Sequence, residues 1–181
     1  MASVITATTS SGLVSSADNS GVLQLASGTG NLVTIPSVTG TAMVSGNMPA
    51  FNVYLSSGQS ISANTHTKIN VNTKDYDTNN CVNTSTYRVI PNVAGYYQFN
   101  WGATVGSSAC GVIANLYKNG SNVLRGLQGN STTLGNGGGS GLAYANGTTD
   151  YFELYVFFTT GQNTGAGALD VFISGFLARA A

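Results

Sequence analysis

The residues able to do chemistry are few. The acids are Asp18, Asp75, Asp77, Asp150, Glu153 and Asp170, the histidine is His66, and the thiols are Cys81 and Cys110. Asp75 and Asp77, on either side of Tyr76, form the close carboxylate pair, and loop oxygens at that spacing suit a hard cation such as Ca²⁺. Lys74 beside them favours the plainer reading of a solvated, partly neutralised loop, so no metal and no cofactor is expected. A cysteine with His66 has the composition of a nucleophile and its base, but nothing local to either cysteine brings such a pair together. No Cys/His cluster has zinc spacing. The two thiols pair only if strands bring them together, and otherwise stand as small buried side chains. The run Gly135–Gly141 lacks the Gly-Lys-Ser/Thr ending of a phosphate loop and reads as a flexible tip. Asn-X-Ser/Thr sequons at Asn83, Asn119, Asn130 and Asn146 read as accidents of an Asn-, Ser- and Thr-rich chain. The expectation is a protein that is not an enzyme.

Charge narrows the classes further. Lys plus Arg is 6 and Asp plus Glu is 6, giving a net charge of zero. Charged residues make up 7% of the 181 residues, against about 25% in an ordinary soluble domain. So thin a charge gives no electrostatic footprint for nucleic acid. A hydrophobic content of 42% argues against disorder. No apolar run approaches the roughly 18 residues of a membrane-crossing helix, so no membrane insertion is expected. The opening MASVITATTSSG has neither a basic residue nor a sustained apolar core, so it does not read as a secretory signal. Arg88, Arg125 and Arg179 each need a partner in so uncharged a chain, and Glu153 or Asp170 of a neighbouring subunit is the candidate.

The elements that would position these residues are strands. Apolar segments are short, alternating or rich in β-branched and aromatic residues, and Gly, Asn or Ser bounds them. Composition shifts near residue 47. Before it, Leu13-Val14, Val22–Leu25 and Leu32–Ile35 recur between Ser/Gly turns, each too thin to bury itself in one chain. Such strands suit an attachment stalk, residues 1–47, in which copies of the chain intertwine. From Met48 the pattern is denser: Phe51–Leu55, Thr67–Val71, Tyr87–Ile90, Tyr96–Val105, Gly111–Tyr117, Val123–Leu127, Leu142–Tyr144, Tyr151–Phe158 and Leu169–Leu177. Lys118-Asn119-Gly120 is a hairpin turn. Tyr151–Phe158 is the most apolar segment and does not alternate, as a strand covered on both faces would not. About eight to ten strands at this spacing predict a sandwich or jelly roll over residues 48–181.

Residues 49–179 carry an ordered set of motifs. They are Pro49-Ala-Phe51, Thr67–Asn70 followed by Tyr76-Asp77, Val89-Ile-Pro91 with Gly95–Phe99, Leu116–Gly120, Leu142–Tyr151 and Phe172–Leu177. In order and spacing this set resembles the globular head of complement component 1q, which shares the trimeric jelly roll of the tumour necrosis factor ligands. One departure is the turn before Tyr151, where two threonines separate Gly147 from Asp150 and the family pattern has Gly-Asp. It implies an altered loop. The leader is not collagen-like, having no Gly-X-Y period, and resembles the N-terminal segments of phage tail-fibre and other virion appendage proteins.

The resemblance implies an all-β, homotrimeric jelly-roll head on a short β-rich oligomerising stalk. Tyr97, Phe99, Trp101, Tyr155, Phe157, Phe172 and Phe176 are the candidates for the sandwich core or the trimer interface. The expected role is a non-enzymatic structural protein at the virion surface, assembled in the host cytoplasm. It is a phage fibre or head-decoration knob, holding other virion proteins through residues 1–47 and presenting the head to a host glycan or protein. The alternatives are a capsid decoration protein that stabilises the head without a receptor, and a bacterial or spore surface adhesin.

Overall fold

A computed structural model of the chain describes Leu23–Ala26, Leu32–Ile35 and residues 48–181. The described strands, in chain order, are β1 (Leu23–Ala26), β2 (Leu32–Ile35), β3 (Ala50–Tyr54), β4 (Ser60–Ile61), β5 (Thr67–Lys68), β6 (Thr73–Asp77), β7 (Val82–Asn83), β8 (Arg88–Val89), β9 (Gly95–Thr104), β10 (Cys110–Lys118), β11 (Ser121–Ser131), β12 (Asn136–Ala145), β13 (Phe152–Phe158), β14 (Gln162–Asn163) and β15 (Phe172–Ala180). The described residues contain no helix.

The chain divides into compact units of residues 1–40 and 41–181, a few residues before the compositional shift at 47. In the first, β1 and β2 form an antiparallel pair with Leu23 opposite Ile35 and Ala26 opposite Leu32. The expected Leu13-Val14 strand lies outside the described residues.

The second unit is a sandwich. Its hydrogen-bonded path runs β6-β3-β15-β9-β12-β11-β10-β13-β8-β7, with β5 also on β13. Sheet one is β6 to β12 and sheet two is β11 to β7, joined where Leu127 of β11 pairs with Gly138 of β12. All named strand pairs are antiparallel.

Period-two alternation builds the core. Along β9, Tyr97, Phe99, Trp101 and Ala103 point inward, while Tyr96, Gln98, Asn100 and Thr104 point out. β10 and β13 answer from sheet two with Val112, Ala114, Leu116, Phe152, Leu154, Val156 and Phe158. The sheets meet at Phe99 and Phe152, whose rings are 4.4 Å apart. Two inward polar groups find acceptors: Trp101 Nε1–H donates to the Ala114 carbonyl at 2.9 Å, and Tyr97 OH to the Val93 carbonyl at 2.8 Å. Complete burial of each large side chain here contributes about 1.5–3 kcal/mol.

The glycine run corrects a sequence expectation. It is a regular strand, β12, paired with β9 from Asn136 opposite Thr104 to Ala145 opposite Gly95. Glycine is required by close approach: a Cβ on Gly139 would stand 2.5 Å from Cζ2 of Trp101. The hairpin at Asn119-Gly120 is as expected, with positive φ of 51° and 81° at its two residues. Between β12 and β13 the altered turn is held by Asn146, whose Oδ1 accepts the amides of Thr148, Thr149 and Asp150.

Candidate interaction surfaces

The two outer faces of the sandwich are built from the same alternation but carry different chemistry. On sheet one, strand pairing sets the outward residues in rows. One row is Ala50, Phe176, Gln98 and Leu142; the next brings Arg179, Tyr96 and Tyr144 together. Phe176 is 49% exposed, Tyr96 49%, Leu142 57% and Tyr144 41%, so large apolar groups face out from the sheet centre. Tyr96 and Tyr144 meet edge to face with centroids 5.5 Å apart. A neutral polar row follows, in which Gln98 Nε2 donates to Ser140 Oγ at 2.7 Å and Ser140 donates to Asn100 Oδ1 at 2.9 Å. Charge is sparse: Arg179 stands beside Tyr96, Lys118 Nζ lies 5.6 Å from the Tyr144 ring, and Asp75 Oδ2 accepts from Asn52 Nδ2 at 3.3 Å. Asn52 Oδ1 is buried and has no hydrogen-bond partner.

The outer face of sheet two carries Ile113, Asn115 and Tyr117 from β10 with Glu153, Tyr155 and Phe157 from β13. Its charges at Glu153, Lys68 and Arg88 meet within the chain. Glu153 Oε1 lies 2.5 Å from Lys68 Nζ and 2.9 Å from Arg88 Nε, and its side chain is 3% exposed. This hydrogen bond raises the Arg88 pKa, and the guanidinium also lies 3.8 Å above the Tyr151 ring. Burial, and then the Glu153 charge, raise the Tyr155 phenol. Tyr117 and Tyr155 stack at 4.0 Å, and His66 lies over this face with its ring 5.2 Å from Phe157 and 6.5 Å from Tyr117. Beneath His66, Asn115 is 1% exposed; its Nδ2 lies 3.5 Å from His66 Nδ1 and its Oδ1 has no partner.

The aromatic candidates therefore separate into three places. Tyr97, Phe99 and Trp101 fill the core, Phe172 and Phe176 stand on the outer face of sheet one, and Tyr155 and Phe157 stand on the outer face of sheet two. Tyr96, Leu142 and Tyr144 were not among them, although Tyr96 is out of phase with Tyr97 and so marks the other face of its strand. Arg88 takes Glu153 of its own chain, not of a neighbour, because β8 and β13 lie side by side. Arg125, Arg179 and Asp170 have no ion pair among the described residues.

Asp75 and Asp77 do not converge. Asp77 is buried and accepts from Cys81 N at 2.7 Å, Val82 N at 3.0 Å and Lys74 Nζ at 2.7 Å, while Asp75 turns to Asn52. Among the described residues no three His, Cys, Asp or Glu side chains are grouped to share a metal ion. Both cysteines are free and buried, and burial pushes the Cys81 thiol up. Asp150 joins two turns: it accepts from Lys118 Nζ at 2.8 Å, Asn119 Nδ2 at 2.7 Å and Asn146 N at 2.9 Å. Burial alone would raise its carboxyl, but these donors outweigh it and hold the pKa below the usual value.

No family model and no curated protein matches the chain in sequence. Solved structures do match it in fold. The globular domain of zebrafish complement 1qA is 16% identical, with a TM-score of 0.54 over 74% of this chain and 98% of that one. The Eiger TNF of S. frugiperda is 13% identical, at 0.55 over 74% and 95%. Murine APRIL is 8% identical, at 0.52 over 72% and 98%. The second unit has the jelly-roll sandwich of the complement 1q and tumour necrosis factor structures, and the likeness is one of fold.

Proposed function

We propose that the chain is a non-enzymatic, homotrimeric structural protein of a virion surface, a fibre or decoration knob whose jelly-roll head is presented to a host. The observation that carries this reading is the outer face of sheet one, where Phe176, Tyr96, Leu142 and Tyr144 are left exposed around a neutral polar row. A contiguous apolar face of this kind is the mark of a protein interface. A second copy suits it, because the seam beside it offers another apolar group, Leu127, at 83% exposure. Two different apolar surfaces on one chain favour head-to-tail contacts, which close into a ring, over a self-complementary twofold.

The acids support a non-catalytic role: Asp77, Asp150 and Glu153 are each held by two or more donors from the fold. The stalk reading rests on the β1–β2 pair and on the leader's resemblance to virion appendages, with residues 1–47 as the attachment to other virion proteins. Native mass spectrometry of the full chain tests the assembly: a trimer is expected, and a monodisperse monomer overturns it. Immunogold electron microscopy of released particles tests the location. Label on particle surfaces is expected, and label confined to the cell envelope favours the adhesin instead.

A further inference from the structure

The outer face of sheet two holds a row that the assembly does not use. Across four neighbouring strands, cross-strand pairing sets Arg125 beside Asn115, Asn115 beside Tyr155, and Tyr155 beside Lys68. With strands about 4.8 Å apart the row spans roughly 14 Å, the reach of a short oligosaccharide. It offers a cation, a carboxamide, an aromatic wall and a second cation in that order. We propose that this row is a binding site for an acidic saccharide.

The first three groups have a use for such a ligand, while Lys68 is already paired with Glu153. The apolar flank of a pyranose packs against the Tyr117–Tyr155 stack, as flat C–H surfaces do on aromatic rings. Its carboxylate is met by Arg125, which is exposed and has no ion pair among the described residues. The Asn115 carboxamide can both donate and accept, which is what a sugar hydroxyl requires. Its Oδ1 is buried and unmatched among the described residues, which is costly for a polar atom away from water. The exposed His66 lies over this amide, with its Nδ1 3.5 Å from Asn115 Nδ2. A hydroxyl entering as His66 swings aside supplies the missing donor.

The face also has the right charge. Lys68, Arg88 and Arg125 stand there with one carboxylate, Glu153, so it is net positive in a chain whose net charge is zero. Another copy of the chain is a poor occupant, because charged residues are depleted from interface cores. An acidic peptide could use the cations but has no use for a ring-stacking wall beside a buried amide.

The inference rests on the reading that copies cover sheet one and leave sheet two facing outward. It is tested by titrating the full chain with 3′-sialyllactose, neutral lactose and a tetraglutamate peptide, followed by NMR, with native mass measured on the same sample. Expected is saturable binding of sialyllactose and none of lactose or peptide. Arg125→Glu removes one charge-assisted contact and should weaken binding about tenfold or more. Arg179→Glu, an unpaired cation on the other sheet, should leave it unchanged. His66→Ala uncovers the amide and should tighten binding, an effect that a merely structural His66 would not give. Asn115→Ala removes the carboxamide and should weaken binding; should it fail to fold, the Arg125→Glu and His66→Ala results still decide. A trimer that binds no sialyllactose, binds lactose or peptide equally well, or is indifferent to Arg125→Glu overturns the site alone. A monomer that binds as described overturns the assembly alone.

Discussion

The two outer faces of the sandwich differ in where their needs are met. On sheet two, Lys68 and Arg88 close on Glu153, Arg88 covers Tyr151, and Tyr117 stacks on Tyr155, so most side chains find partners inside the chain. On sheet one, Phe176, Tyr96 and Leu142 reach the surface with nothing over them, and charge is sparse. Strand alternation alone would make the faces alike. What separates them is the loop residue His66 and the short strands β5 and β8, which bring side chains over sheet two. The fold satisfies most of sheet two and leaves Arg125 and the Asn115 amide for the proposed ligand, whereas the apolar face of sheet one suits the proposed second copy.

The comparison breaks most sharply at Phe176. Phe176→Asp puts a charge in the centre of the open face and should weaken association by about 100-fold or more, read as loss of trimer in native mass, with the monomer still folded by circular dichroism. An unchanged trimer would move the interface elsewhere. Glu153→Gln should act in the opposite manner. It strands Lys68 and Arg88, and because both cations are partly exposed the loss is about 2 kcal/mol in urea unfolding, with the trimer mass retained.

Acid supplies a third measurement, neutral between the faces. Asp150 is held below its unfolded value of about 3.9, so its contribution to stability is fully present above that pH and is lost as pH falls through the folded value. Asp150→Asn should therefore destabilise at pH about 6 and make progressively less difference as pH falls below the unfolded value. A penalty that does not change with pH would contradict this. The smallest effect concerns salt. Association through a neutral face should change less than about twofold between about 0.05 and 0.5 M NaCl, as sedimentation equilibrium of a dilute sample would show.

Much of this was legible in the sequence. Alternation from Tyr96 to Thr104 assigns Tyr97, Phe99 and Trp101 to one side, and these are the core. The same alternation put Phe172 and Phe176 on a strand without saying which sheet face they share with Leu142, since that depends on β15 pairing with β9 and β9 with β12. Gly135–Gly141 was misread because glycine carries no hydrophobic period; its reason lies in the ring of Trp101 on the adjacent strand. The Arg88–Glu153 pair, separated by 65 residues, could not be read locally. The orphaned Asn115 has no sequence signal at all, because an asparagine between Ala114 and Leu116 looks like any outward polar residue of a strand.

The place of β15 has a consequence for synthesis. It lies between β3 and β9, so the middle of sheet one is filled by the strand translated after every other described strand. A nascent chain that has not yet released Phe172–Ala180 leaves facing edges of β3 and β9 unpaired and the core open along one side. The head can therefore close only after translation has passed this strand, and a ribosome that stalls earlier yields no competent subunit. Incomplete chains thus lack the row of Phe176 in the middle of sheet one, and on the proposed assembly only polypeptides made through β15 would join it.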